Sequence, residues 1–185
     1  MNDHNIMYID LETTGLDPNK HSIIQLAAVY RNNWFHKKCP HDPNLEIDDN
    51  ALKINGYRPD AERKGWSWVL NQTEMLKKFM FWLNELRSND DVILCGCNVG
   101  FDYNFLNASI ERYKIDADIL RFRVLDVHQI AYFFNIIKNK KQMSAYSLYK
   151  DMGIEEERIP HTAISGVEKA INIFNKLANF TICSN

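Results

Sequence analysis

The sequence predicts an α/β domain built on a central mixed five-stranded sheet flanked by helices. Residues 5–39 contain three successive strand-like apolar runs, whereas residues 91–136 alternate strand-like runs with helical ones. Strands that follow one another directly favour antiparallel pairs, and strands separated by helices favour parallel pairs. The sheet is therefore expected to be antiparallel on one side and parallel on the other.

Five segments carry the strand signal. The first three are NIMYID (5–10), HSIIQLAAVYRN (21–32) and WFHKKC (34–39), with a tight turn at Asn32–Asn33 between the second and third. The other two are DVILCGCN (91–98) and a run from residue 120 that passes into a helix around Asp126.

Besides the helix that begins around Asp126, five helices are predicted. The clearest spans residues 73–87, because its apolar residues recur at helical spacing. A short helix lies in the loop 41–57 and stops near Gly56. The others cover 101–114 with Asn98 as a candidate cap, 144–154 ending at Gly153, and a last helix after Pro160 with the apolar stripe Val167, Ile171, Phe174 and Ala178.

Composition restricts the class of protein. The 185 residues suit one domain, 1–185, with 45% hydrophobic and 25% charged residues. A net charge of −2 excludes a molecule whose overall charge attracts nucleic acid, so such a role must rest on a local site. No apolar run follows an N-terminal basic cluster, and no apolar stretch is long enough to cross a membrane, so we expect no signal peptide and no membrane span. Cys95 and Cys97 have neither CxxC nor zinc-pair spacing, so we expect free thiols in a cytoplasmic protein.

The stretch YIDLETTG (8–15) carries a pair of acids. Asp10 and Glu12 are two residues apart on a strand, so their carboxylates face the same way. Such a pair is relieved by solvent, by a basic partner or by a divalent cation, and carboxylates are ligands that Mg²⁺ and Mn²⁺ prefer. A solvated strand end is the alternative interpretation.

The residues that follow favour a substrate loop. Thr13, Thr14, Gly15 and Leu16 supply two hydroxyl groups, a glycine that lets the backbone approach a ligand, and an apolar side chain. Such a loop can hold the end of a polar substrate beside a flat group.

Two further positions sit where an element begins. In GCNVGFDYNFL (96–106), Asp102 lies in the first turn of a helix, where it either complements the helix dipole or acts as a third metal ligand. In RIPHTAISGVEKAINIF (158–174), His161 precedes a helix and has the imidazole of a general base near neutral pH. Gly166 then occupies the helix interior, where glycine costs about 1 kcal/mol relative to alanine.

Together these motifs resemble the DEDDh family of 3′→5′ exonucleases, which includes polymerase proofreading subunits and RNA-trimming enzymes. YIDLETTGLDPNKHSIIQLAAV resembles its first motif, CNVGFDYNFL its second and HTAISG its third. The family pattern places an Asp five residues after the histidine, where this chain has Gly166. The resemblance covers nearly the whole chain and implies a ribonuclease-H-like fold and a single exonuclease domain.

The resemblance also implies a chemistry. Two Mg²⁺ or Mn²⁺ ions are expected in the active form, with Asp10, Glu12 and Asp102 as ligands and His161 taking the proton from the attacking water. Thr13, Thr14 and Gly15 would touch the terminal nucleotide, and Leu16 would pack on its base. The substrates are 3′ ends of single-stranded DNA or RNA, with DNA favoured by the ETTGL form, and the products are nucleoside 5′-monophosphates.

Gly166 leaves two accounts open. In the first, the protein is an exonuclease that lacks its fourth carboxylate and is impaired by the glycine. In the second, it is an inactive module that binds 3′ ends or a protein partner. The retained Asp10, Glu12, Asp102 and His161 favour the first account. Neither a homodimer nor a polymerase partner can be assigned to a surface from the sequence.

Two other stretches also leave alternatives open. Trp66 and Trp68 either stack on bases or pack beneath a loop. The basic run 138–142 either contacts phosphates or forms a solvated loop.

Overall fold

The computed structural model describes residues 5–61, 65, 67–87, 91–117, 123–137, 149–150, 152–155 and 159–182. Within them the chain forms one five-stranded sheet with the strand order β3-β2-β1-β4-β5. The strands are β1 (Ile6–Thr13), β2 (Ile23–Tyr30), β3 (Asn33–Lys38), β4 (Ile93–Gly96) and β5 (Arg123–Asp126).

The sheet is mixed as expected. β1 pairs antiparallel with β2, and β2 pairs antiparallel with β3. On its other edge β1 pairs parallel with β4, which pairs parallel with β5. The carboxyl ends of β1, β4 and β5 therefore meet at one edge of the sheet, and this confirms the predicted fold class.

The turn between β2 and β3 lies one residue earlier than predicted. Arg31 and Asn32 both have positive φ, at 50° and 63°, and Asn33 already belongs to β3. Two consecutive left-handed residues form the hairpin turn whose twist matches that of the strands. Asparagine tolerates this conformation well, but Arg31 gives no such signal in the sequence.

Five helices have described bounds: α1 (Asp49–Asn55), α2 (Gln72–Leu86), α3 (Val99–Arg112), α4 (Val127–Ile137) and α5 (Ala163–Ile182). α1 ends at Gly56, which is left-handed as the prediction requires. Asn98 is the N-cap residue of α3, as predicted, but its φ is 57° and its side chain makes no capping hydrogen bond. The predicted helix 144–154 falls largely outside the described residues.

The helices cover the two faces of the sheet. α2 and α3 pack against Met7, Ile9 and Leu11 on one face. α4 and α5 pack on the other face, around Cys95 and Ala27. None of the described helices is long and apolar enough to cross a membrane. Within the described chain Cys39, Cys95 and Cys97 are free thiols, and Cys183 lies outside it.

α5 buries only Val167 of its predicted apolar stripe, and Ile171 and Phe174 are half-buried. Its buried residues are Ala163, Gly166, Val167, Ala170, Ile173 and Leu177, whereas Ala178 is exposed. Steps of three and four from Val167 through Ala170 keep small residues against the sheet. The helix begins with a reciprocal cap in which the Ser165 amide donates to the Thr162 hydroxyl and the Thr162 amide donates to the Ser165 hydroxyl, each over 3.2 Å.

Candidate active site

The two acids of β1 lie side by side on the face of the sheet that α5 covers. β1 runs on to Thr13, so both residues are within the strand and the alternation of side chains places them on one face. Asp10 is half-buried and Glu12 is 9% exposed. A buried carboxylate is costly unless it is paired, hydrogen-bonded or bound to a cation, which disfavours the solvated strand end.

The third acid reaches the same edge from α3. Asp102 is buried, and its Oδ1 accepts a hydrogen bond from the Leu11 amide over 2.9 Å. Burial raises the pKa of this carboxyl well above its usual value, and the negative charges of Glu12 and Asp126 raise the pKa further, although the Leu11 hydrogen bond opposes them. The structure therefore brings Glu12 and Asp102 close enough to repel each other.

Gly166 faces Asp10 directly. A Cβ atom built on Gly166 would overlap the carboxylate of Asp10. Gly166 is buried, and its amide continues the helix by donating to the Thr162 carbonyl over 3.1 Å. A side chain at position 166 would thus start inside the carboxylate site.

His161 lies on a loop that is fixed to α1. Its amide donates to the Ile54 carbonyl over 2.9 Å, and the neighbouring Pro160 packs against Gly56. The imidazole is half-buried. This anchoring holds the histidine between α1 and the start of α5.

Two other acids do not take the place of a residue at 166. Asp126, whose location the sequence left open, caps α4: its Oδ1 accepts from the amides of Asn98, His128 and Gln129 over 3.2, 2.9 and 3.3 Å. Glu168 is exposed on α5. Asp126 therefore holds two loops together at the site's edge.

Hydrogen bonds within the protein hold the predicted substrate loop in place. Thr14 has no exposed surface: its hydroxyl donates to the Glu46 carbonyl and accepts from the Ser22 amide, both over 2.9 Å. The Thr14 hydroxyl is therefore engaged within the protein, and a contact of Thr14 with substrate stays a prediction. Thr13, 6% exposed, donates its hydroxyl to the Gly15 carbonyl over 2.7 Å.

Gly15 is required by a neighbouring side chain. A Cβ atom at this position would overlap the imidazole ring of His21. Its φ is not in the left-handed region, so the requirement is one of space. The close approach that the sequence predicted is thus made to His21, and Leu16 beyond it projects outward with 77% exposure.

A cavity of about 210 Å³ opens beside the acids. Phe101 is half-buried, packs against the core and also lines this cavity. The lining residues are Leu11, Glu12, Thr13, Leu16, Asp48, Asn50, Ala51, Ile54, Asn55 and Phe101.

α1 forms one wall of this cavity because hydrogen bonds fix it to the end of β1. Asn55 is buried and donates from Nδ2 to the Thr13 carbonyl over 2.9 Å. The Asp48 amide donates to the Thr14 carbonyl over 2.7 Å. No local pattern in the sequence indicates these walls beyond the short helix itself, because the contacts join residues more than thirty positions apart.

The carboxylate oxygens at this edge of the sheet are chemically suited to bind a divalent cation. Asp10, Glu12 and Asp102 offer hard carboxylate oxygens, and the mutual repulsion at Asp102 is what a cation would relieve. Among the described residues, no group of three or more His, Cys, Asp or Glu side chains is already gathered around one point. Gly166 adds no donor beside Asp10.

Neither of the other candidate stretches adds to the site as described. Trp68 is half-buried and bridges to Lys38 of β3, consistent with packing. Trp66 and residues 138–142 lie outside the described residues.

The crowding at Gly15 predicts a specific energetic coupling. Gly15→Ala should lower the free energy of unfolding by about 1–3 kcal/mol, because the added methyl group meets the His21 ring. In a His21→Ala background the same change should cost much less. Urea unfolding of the four proteins measures the coupling, and an equal cost in both backgrounds would contradict the assigned role of His21.

Comparisons with known proteins point to an exonuclease family. The family model RNase_T, described as Exonuclease, matches residues 7–174. Oligoribonuclease of Aliivibrio fischeri is 52% identical over 149 residues, which cover 70% of this chain and 75% of that protein. Ribonuclease T of Wigglesworthia glossinidia brevipalpis is 24% identical over 190 residues, covering 92% and 83%.

A solved structure shares the fold. Exonuclease I of E. coli in complex with a dT13 oligonucleotide superposes with a TM-score of 0.69 at 18% identity. The match covers 93% of this chain and 40% of that chain, so the present chain spans about two fifths of its length. The fold is therefore ribonuclease-H-like, as the resemblance implied. With most of its length matched by the family model, the chain belongs to the DEDD-type exonuclease family, the divalent-metal-dependent 3′→5′ exonucleases.

Proposed function

We propose that this chain binds the 3′ end of short single-stranded nucleic acid beside Leu16 and removes nucleoside 5′-monophosphates, with turnover limited by Gly166. The observation that carries the proposal is the contact of Gly166 with the Asp10 carboxylate. This contact supports the proposal that position 166 is where the family motif has its fourth carboxylate. On this proposal the chain keeps Asp10, Glu12 and Asp102 and lacks that donor.

Asp10, Glu12 and Asp102 are the residues that would hold Mg²⁺ or Mn²⁺. When bound, two such cations would supply activation of the attacking water and stabilisation of charge at the phosphate and the leaving oxygen. Without a carboxylate at 166, Asp10 has one negative charge fewer beside it. We expect the cation on that side to bind weakly.

The cavity supplies a place for the terminal nucleotide. Leu16 and Phe101 form apolar walls for the base, and an aromatic contact of this kind is worth about 1–3 kcal/mol. The polar wall at Thr13 and Glu12 faces the sugar and phosphate. Thr13 and Gly15 set the conformation of the loop, and Leu16 contacts the base directly.

His161 is proposed as the general base. Its imidazole takes a proton from water while the water oxygen bonds to phosphorus and the bond from phosphorus to the 3′ oxygen breaks. The leaving 3′ oxygen takes up a proton from solvent, so the shortened strand ends in a new 3′-hydroxyl. The hydrogen bond from the His161 amide to Ile54 ties this base to α1, the wall of the nucleotide cavity. Substrate and base are thus positioned by the same helix.

We propose short RNA as the favoured substrate. The relatives are named oligoribonuclease and ribonuclease T, which supports RNA or short oligonucleotides. The DNA preference indicated by the ETTGL form of the first motif has no such support, although the exonuclease I structure contains a dT13 oligonucleotide. A single domain over 1–185 is proposed as well, supported by the family match to 7–174.

A second candidate function is an inactive module that binds 3′ ends. Gly166 favours it, because the chain lacks a carboxylate at the position where the family motif has one. The inactive module would bind the terminal nucleotide in the same cavity as the exonuclease. The two candidates differ in whether a carboxylate at 166 restores cleavage.

Gly166→Asp should raise hydrolysis by orders of magnitude, because it returns a donor beside Asp10. The measurement uses a 5′-labelled short oligoribonucleotide with Mg²⁺ or Mn²⁺ and follows stepwise shortening from the 3′ end. Glu168→Gln, which changes an exposed acid on the same helix, is the matched control and should leave the rate unchanged.

Each outcome of that assay decides between the candidates. Equal rates for the unchanged chain and Gly166→Asp would show that position 166 has no catalytic role. Binding without cleavage by both would favour the inactive module. A DNA strand of the same sequence, cut as fast as the RNA or faster, would contradict the RNA preference.

Leu16→Ala should weaken binding of the 3′ end, because the exposed leucine is a wall of the cavity. The expected result is a KM, or a dissociation constant, raised several-fold with a smaller change in kcat. Leu70→Ala is the control, since Leu70 is 82% exposed and does not line this cavity. Unaltered binding by Leu16→Ala would show that the base does not contact Leu16.

A further inference from the structure

Gln25 of β2 lies directly across from Glu12. The two residues are partners in the antiparallel register of β1 and β2. Side chains that lie directly opposite in such a pair share one face of the sheet, with Cβ atoms about 4.5–5.5 Å apart. The amide of Gln25 is therefore an immediate neighbour of the Glu12 carboxylate, on the face that α5 covers.

The Gln25 side chain carries a buried acceptor that the protein does not use. Gln25 is 7% exposed, and its Oε1 atom is buried and accepts no hydrogen bond from the part of the chain that the structure describes. Buried polar atoms are nearly always hydrogen-bonded, and an exception indicates a further partner such as water or an ion. The Gln25 Oε1 atom therefore requires a hydrogen-bond donor from outside the described chain.

The side chains beside Gln25 explain why the protein supplies no donor. An ionised Glu12 has no hydrogen to donate. On its other side Gln25 pairs with Lys38 of β3, but the Lys38 ammonium group makes no hydrogen bond to Oε1. Two residues along β2, Ala27 packs in a cluster with Ala163 of α5 and has no polar side-chain atom. The donor is therefore expected from a molecule bound at the acid site.

Two other buried side-chain oxygens in the described residues also lack a hydrogen bond. They are Oε1 of Gln72 and Oγ of Ser109. Gln72 begins α2, where its Nε2 donates to the Ile23 carbonyl, and Ser109 lies on α3, about two turns beyond Asp102. Of the three oxygens, that of Gln25 is the one that the strand register places opposite an acid of the site.

A hydrated cation supplies a suitable donor. Mg²⁺ dehydrates reluctantly and keeps several water molecules when one or two carboxylates bind it. Groups that hydrogen-bond to what surrounds a metal orient it and raise its affinity. A neutral amide oxygen can accept a hydrogen bond from such a water without adding a negative charge beside Glu12.

We propose that Gln25 is a positioning residue of the cation site, whose Oε1 atom accepts a hydrogen bond from a water molecule of the divalent ion that Glu12 holds. This hydrogen bond fixes the orientation of the hydrated ion against Glu12. Gln25 itself contacts neither the ion nor the substrate. The inference rests on the function proposed above, since it takes Glu12 as a ligand of the cation.

Gln25→Met tests the proposal, because methionine keeps the length of the side chain and removes the acceptor. Calorimetric titration with Mn²⁺ should show binding about ten-fold weaker than in the unchanged chain. Gln25→Glu, which keeps an acceptor at this position, should bind Mn²⁺ at least as tightly as the unchanged chain. Ser109→Ala removes another buried oxygen without a hydrogen bond and, as the matched control, should leave the affinity unchanged.

Two further measurements separate this role from a structural one. Without cation, the urea midpoint of Gln25→Met should stay the same or rise, because a buried acceptor without a partner is removed. In a Glu12→Gln background, Gln25→Met should change the Mn²⁺ affinity less than two-fold, because the two residues act through the same ion. If Gln25→Met does not fold, Gln25→Leu takes its place in both measurements.

Three results would overturn the proposal. An unaltered Mn²⁺ affinity in Gln25→Met would show that the amide does not serve the cation, and an equal loss in both backgrounds would show that it acts apart from Glu12. A lowered urea midpoint would mean that the oxygen has a partner within the protein. If the oligoribonucleotide is not cut, the proposed function fails, whereas the Mn²⁺ titration needs no turnover and still decides the role of Gln25.

Discussion

The site depends on how closely α5 approaches β1. At Gly166 the helix backbone leaves no room for a Cβ atom beside the Asp10 carboxylate. This approach is set by small residues in the interface, since Ala27 of β2 packs with Ala163 and Val167 of α5. The same packing that buries this face of the sheet therefore brings position 166 to the first acid of the site.

The other parts of the site are arranged around that contact. The parallel strands end at one edge, so Asp10, Glu12 and the residues after β4 and β5 come together there. Asp102 is held by the Leu11 amide, and α1 is held by the end of β1 through Asn55. The buried carboxylates of these acids repel one another. A bound cation would relieve this repulsion, and the free energy so gained would favour its binding.

Local patterns in the sequence were sufficient for most of the fold. The five strands, the amphipathic helix α2 and the stop of α1 at Gly56 follow from periodicity and from one glycine. The acids were predictable too, because the alternation of β1 and the first turn of α3 decide where they point. The turn at Arg31 was misplaced, since an arginine in the left-handed region carries no signal.

What the sequence did not reveal depends on contacts between distant residues. Thr14 looked like a ligand for substrate, but its hydroxyl is bound to Glu46 and Ser22. Gly15 makes room for His21, and Phe101 serves the cavity as well as the core. Asp126 was an unplaced acid until the end of β5 and the start of α4 were known. Each of these roles follows from tertiary packing that no local pattern encodes.

We propose that position 166, beside Asp10, is where the family motif has a carboxylate. A stability measurement with and without Mn²⁺ tests this directly. The free energy of unfolding of the unchanged chain and of Gly166→Asp is determined by urea titration, with and without Mn²⁺. Without the cation, Gly166→Asp should be less stable, because its carboxylate crowds and repels that of Asp10. With Mn²⁺ it should gain more stability than the unchanged chain, because it binds the cation more tightly. The same Mn²⁺-dependent gain in both proteins would contradict the account.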